Sequence, residues 1–147
     1  MSIEKYWNQF LKKNNLDENT TYIDVFHFDL TERVANELLH LVLIGQKKAT
    51  CSSLLAFKDE TVPKPGDYSI ITDWDGNPRC VIQTTKIHNL KFKDMTFELC
   101  SKEGEDDSLE SWKKSHTHFF TEEGKQLGYS FDEDMDVVFE EFEVVYK

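Results

Sequence analysis

Tyr68-Ser69-Ile70-Ile71-Thr72-Asp73-Trp74-Asp75-Gly76-Asn77-Pro78-Arg79-Cys80-Val81-Ile82-Gln83-Thr84-Thr85-Lys86-Ile87 reads as two strands around one turn. Residues 68–73 and 79–87 are rich in β-branched and aromatic types, and the Asp75-Gly76 pair between them is a hairpin signal. Just upstream, Val62-Pro63-Lys64-Pro65-Gly66-Asp67 cannot continue a strand, because proline removes ladder donors, so it reads as a loop. Before that loop, Ala49 to Leu55 is small-residue-rich and β-compatible. At the other end of the chain, Val137 to Tyr146 alternates Val and Phe with Glu, the pattern of a strand with one buried face.

Helical periodicity surrounds this β section. Ile3, Tyr6, Trp7, Phe10 and Leu11 share one helical face behind a capping Ser2. After a polar loop at 15–21 and a short extended piece at 22–28, a second helix begins near Thr31. It carries Val34, Leu38, Leu41 and Val42, and Gly45 stands at its C-terminal cap. Asp94 or Thr96 caps a short helix ending near Gly104, and Ser108 caps a longer one through Trp112, Phe119 and Phe120. The expected class is therefore α+β, a mainly antiparallel barrel or half-barrel decorated by helices.

Composition sets outer bounds. At 147 residues, 39% of them apolar and 19 aromatic, the chain is sized for one packed domain. No stretch reaches the roughly 18 apolar residues of a membrane span, and the first residues lack the order of a signal peptide, so a cytoplasmic protein is expected. Cys51, Cys80 and Cys100 are odd in number, far apart and without metal-type spacing, which reads as reduced core thiols. The net charge of −11 argues against bulk duplex nucleic acid, whose binding draws on many Lys and Arg contacts to phosphate. The charge is uneven: residues 45–93 carry 8 basic and 5 acidic groups, and residues 94–147 carry 5 and 16.

Gly45-Gln46-Lys47-Lys48-Ala49-Thr50-Cys51-Ser52-Ser53 gathers ammonium, hydroxyl and backbone groups where a helix stops and a strand begins. Spacing alone makes Gly45 a cap and the two lysines complements to the helix dipole. In Glu103-Gly104-Glu105-Asp106-Asp107-Ser108 the acids read mainly as helix caps, Glu103 excepted, because the order does not fit a calcium loop. His116 and His118, two apart on a helix, point to different faces, so no metal site is expected. Ser52 and Ser53 lack the elbow of serine hydrolases. Tyr68, Trp74, Arg79, Lys91 and Phe92 could offer a stacking surface for an unpaired base.

Taken in order, Gly45-x-Lys47-x-Ala49-Thr50, Pro65-Gly66-Asp67, the Trp74 to Pro78 turn, Glu103-Gly104-Glu105-x-Asp107-Ser108-Leu109-x-x-Trp112, His116, Phe119-Phe120 and residues 135–142 resemble an ASCH domain. The resemblance covers roughly residues 30–147, with residues 1–29 as an N-terminal helix and extended lead-in. It implies a PUA-like β-barrel with a cleft beside the GxKxxT segment that takes RNA or a nucleotide- or nucleoside-like ligand. Gly45, Lys48, Ser52, Ser53, Trp74 and Arg79 are the candidate ligand contacts. Some small ASCH proteins remove the acetyl group of acetylcytidine, and by that resemblance Lys47, Thr50 and Glu103 form a catalytic set, with a deprotonated Lys47 as the base. A longer branch is associated with ribonuclease activity. No cofactor is implied. A third reading makes the acidic C-terminal third a docking surface for a protein partner.

Overall fold

The computed structural model describes residues 1–58 and 60–147. The elements follow the order α1 (Ile3–Lys13), β1 (Asp24–Phe26), α2 (Glu32–Leu43), β2 (Ala49–Ser53), α3 (Leu54–Phe57), β3 (Tyr68–Thr72), β4 (Pro78–Lys91), α4 (Phe97–Cys100), α5 (Leu109–Leu127) and β5 (Asp136–Tyr146). Local chemistry explains the helix starts. Ser2, Thr96 and Ser108 each turn a side-chain oxygen onto a backbone N–H of the first turn, at Lys5, Leu99 and Ser111. Gly45, at φ +82°, follows the end of α2, where a left-handed residue ends the helix without steric cost.

One five-stranded sheet runs in the order β1-β3-β4-β5-β2. Its ladders are antiparallel except for β1 against β3, which is parallel. The Asp75-Gly76 pair does not close a two-residue turn. β3 ends at Thr72 opposite Pro78, and the intervening loop is held by Asp73, whose carboxylate accepts the Asn77 N–H at 2.9 Å and the Asn77 side-chain amide at 3.1 Å. β4 continues past the expected Ile87 to Lys91, because β5 accompanies it as far as the pairing of Lys91 with Asp136.

Irregularities at Val81/Ile82 and Thr84/Lys86 interrupt that long ladder, and such bulges bend and twist a sheet. The sheet curls into a half-barrel. Its two edge strands, β1 and β2, lie at opposite ends of the order, yet both contribute residues to one cavity.

Strand alternation sorts the core. Ile71, Cys80, Ile82 and Phe142 pack with Phe28, Leu39 and Val42 on the α2 side. On the opposite side Ile70 and Val81 pack against Tyr6, Trp7, Phe10 and Leu11 of α1. Farther along, Ala49, Cys51, Val137 and Phe139 pack with Phe92, Met95, Cys100, Trp112 and Phe120. The three cysteines are free and buried. Among the described residues no helix is long and apolar enough to cross a membrane.

Helix α1 thus covers a sheet face that would otherwise meet water. Phe10 is 2% exposed and packs its ring on Trp7, Tyr68 and Tyr146. Phe10→Ala is expected to lower unfolding stability by about 3–5 kcal/mol, read from the urea midpoint at unchanged slope.

Candidate active site

Two loops are zipped together to build the site. At the end of α2 the N–H groups of Gln46 and Lys47 both donate to the Leu41 carbonyl, at 2.9 and 3.0 Å, which turns the chain sharply into β2. The N–H of Lys48 donates to the Lys102 carbonyl at 2.9 Å, and the Gln46 side-chain amide donates to the Gly104 carbonyl at 2.7 Å. Gly104 has φ +70°, and a Cβ there would collide with the Gln46 carbonyl oxygen. Only glycine permits both that backbone and that approach.

This clamp presses Lys47 against two carboxylates. The Lys47 side chain is 1% exposed; its Nζ donates to Glu105 at 2.5 Å and to Glu103 at 3.4 Å. The ring of Phe28 lies 5.2 Å from the same nitrogen. Glu103 is held in turn by helix α5: the Trp112 indole N–H donates to its Oε2, and His116 Nε2 lies 3.3 Å from that oxygen. His116 Nδ1 faces the Trp112 carbonyl at 2.9 Å, and the two rings stack 4.0 Å apart.

The charges follow from this geometry. Burial pushes Lys47 down, but the paired charges of Glu103 and Glu105 more than reverse it, so the ammonium is held. Lys47 is therefore not the free base that burial alone suggests. Burial pushes Glu103 up, and Lys47 and His116 outweigh it, bringing its carboxyl down to about 2. Glu105 stays raised, through burial and the neighbouring charge of Glu103. Burial lowers His116, and its hydrogen bond and charge contact with Glu103 raise it further than that. The Cys51 thiol is pushed well above its ordinary range by burial and Glu103, which makes it a poor nucleophile.

Lys47, Thr50, Cys51, Ser52, Glu103, Glu105 and His116 line one cavity of about 360 Å³, within the size range of small-ligand sites. Among the described residues the cavity wall holds seven carboxylates, Asp24, Asp29, Glu60, Glu103, Glu105, Glu123 and Glu140, against the single lysine Lys47. Among the same residues no group of three His, Cys, Asp or Glu side chains has the arrangement to hold a metal ion.

The candidates divide accordingly. Lys47, Thr50, Glu103 and Ser52 reach the cavity; Gly45 and Lys48 line a separate groove with Lys13 and Lys147. Ser53 is buried, its hydroxyl against the Met135 sulfur at 3.2 Å and capping α3. Trp74 packs on the His27 ring at 4.7 Å instead of standing free, and Arg79 is exposed away from the cavity. The expected stacking surface is dispersed: Tyr68 packs under α1, and Phe92 is buried against Trp112. Glu105, expected as a helix cap, is instead the nearest partner of Lys47, with its side chain only 19% exposed.

His116 was legible as a buried residue, since it continues the i, i+4 stripe of Trp112 and Phe120. For Glu105 the only signal is the glycine before it, which lets residues 103 and 105 turn to one side.

This packing has measurable consequences. Gly104→Ala is expected to cost at least about 1–2 kcal/mol from the left-handed backbone alone, and to separate Lys47 from Glu103. A lowered thermal midpoint, with loss of ligand binding in the folded protein, checks it. Glu103, lowered on folding, adds stability that is complete above its unfolded range near pH 4.5 and is lost as pH falls toward 2. Urea midpoints from pH 5 to 2 should therefore fall less steeply in Glu103→Gln than in the wild type.

A family model described as the ASCH domain matches residues 24–146. The crystal structure of an ASCH domain from Lactobacillus crispatus is 34% identical at a TM-score of 0.88, covering 98% of this chain and 94% of that one. A crystallised protein from Enterococcus faecalis is 36% identical, also at 0.88, covering 98% and 88%. A third, a hypothetical protein, is 25% identical at 0.52, covering 82% and 96%. No curated protein matches the chain.

Proposed function

The chain belongs to the ASCH domain family, and on that premise we propose that it is a hydrolase acting on the amide of a small nucleoside such as acetylcytidine. The observation that carries this reading is the presence of Lys47, Thr50 and Glu103 on the wall of one cavity of nucleoside size. Fifty-six positions of sequence separate Lys47 from Glu103, and the clamp at Gly104 spans that gap.

In this reading Thr50 Oγ attacks the acetyl carbonyl. Its proton passes to Glu105, whose carboxyl is held above its ordinary range by burial and the charge of Glu103, a shift that favours accepting and returning a proton. The Lys47 ammonium faces the developing oxyanion, a role for which its retained charge fits it better than that of base. Glu103, fixed by Trp112 and His116, keeps Lys47 charged and in place. The C–N bond breaks as the amine takes the proton from Glu105. Water then attacks the acetylated Thr50, and acetate leaves as the threonine regains its proton.

Electrostatics weigh against a polyanion in this cavity. Among the described residues seven acidic side chains against one lysine disfavour phosphate, and Lys48 and Arg79, the cations expected to help hold RNA, lie elsewhere. Uncharged nucleosides meet no such barrier.

Incubation of the purified protein with acetylcytidine, followed by mass spectrometry, should yield cytidine and acetate. Thr50→Ala should abolish turnover, and Glu105→Gln should lower kcat by about 10²–10⁴. Acetylcytidine 5′-monophosphate should react at least about tenfold more slowly than the nucleoside. Retention of single-stranded RNA with no acetate released would sink the reading and leave a binding module.

A further inference from the structure

The Lys47 cluster occupies one stretch of the cavity wall, and another stretch has no cation among the described residues. That second stretch is built from the paired strands β1 and β3 and from β5, which β4 separates from them in the sheet but whose Glu140 lines the same cavity. Asp24 of β1 stands opposite Ser69 of β3 in the parallel register, and Glu140 of β5 faces the same cavity. Glu140 is also the cross-strand partner of Thr50, so it borders the proposed nucleophile.

Hydrogen bonding here is incomplete. Ser69 is 2% exposed, and its hydroxyl meets no partner among the described residues. Glu140 is 7% exposed; Thr84 donates to its Oε2 at 2.6 Å, and its Oε1 has no partner among the described residues. Asp24 uses Oδ1 on the Val25 N–H at 2.8 Å. No Lys or Arg among the described residues forms a salt bridge with either carboxylate. Burial raises both acids, and Asp24 raises Glu140 further.

The free oxygens of a serine and two carboxylates face one cavity, where a ligand that donates hydrogen bonds can pair with them. An ammonium donates but cannot accept, so it would leave the Ser69 O–H without an acceptor on the ligand. A sugar hydroxyl does both. We infer that Ser69, Glu140 and Asp24 form a subsite for the vicinal hydroxyl pair of the nucleoside's ribose. Acidic side chains recognise ribose hydroxyls in this way in other folds. The inference rests on the proposed reaction only in placing the base beside Lys47 and Thr50.

Calorimetry with cytidine, 2′,3′-dideoxycytidine and putrescine tests the subsite without requiring turnover. Wild type should bind cytidine at least about tenfold tighter than the dideoxy analogue, the worth of one charge-assisted hydrogen bond. Ser69→Ala and Glu140→Gln should each shrink that ratio; Gln keeps an acceptor for Thr84, so its fold is preserved. Equal binding of the two nucleosides, no binding of either, an unchanged ratio in both variants, or tighter binding of putrescine overturns the subsite. If the ratio holds while acetylcytidine is not hydrolysed, the reaction fails and the subsite stands. Hydrolysis without a difference between the two nucleosides removes the subsite and leaves the reaction standing.

Discussion

A lysine ammonium that is 1% exposed must be neutralised where it sits, and this constraint organises the protein around Lys47. Removing one partner of a buried ion pair costs about 3–5 kcal/mol, a large share of a small domain's stability, so Glu103 and Glu105 are strongly held opposite Lys47. The pairing in turn dictates backbone. Gly104 must be left-handed and must touch Gln46, Lys48 must bond Lys102, and α5 must lie where Trp112 and His116 reach Glu103. Replacing such a cluster by apolar side chains often leaves stability unchanged or improved, so its presence points to chemistry more than to strength.

The sheet answers a different demand. A flat five-stranded sheet would place β1 and β2 too far apart to share a ligand. The two irregularities in the β4–β5 ladder coincide with the curl that closes this distance. As a result Asp24, Thr50 and Glu140 border one space although they come from three strands. The apolar clusters lie on both faces of this sheet, and its polar lining is concentrated where the curl leaves a hollow.

Much of the fold was legible because it rests on local rules. The periodicity of Ile3 to Leu11, the caps at Ser2, Thr96 and Ser108, the glycine after α2 and the alternation of Val137 to Tyr146 each act within a few residues. The parallel pairing of β1 was not legible, since three residues carry no sign of the direction of their partner. Lys47, Thr50 and Glu103 could be grouped only through the resemblance of their motifs to the family. Charge states escaped it, because whether burial or a neighbour decides the proton on Lys47 depends on distances that sequence does not contain. Glu105 escaped for the same reason: its role is set by a turn at Gly104 that only packing against Gln46 defines.

The long span between Lys47 and Glu103 bears on how the molecule is made. Lys47 leaves the end of α2, while its counter-charges arrive with the turn before α5, more than fifty positions later. Until that turn docks, the ammonium must stay hydrated, and the loop after α2 cannot settle. Site assembly therefore waits on a contact of long sequence separation, whose loop-closure entropy must be met first. A nascent or partly unravelled chain lacks the paired Lys47 cluster, so the cavity wall is complete only in molecules that have finished maturation.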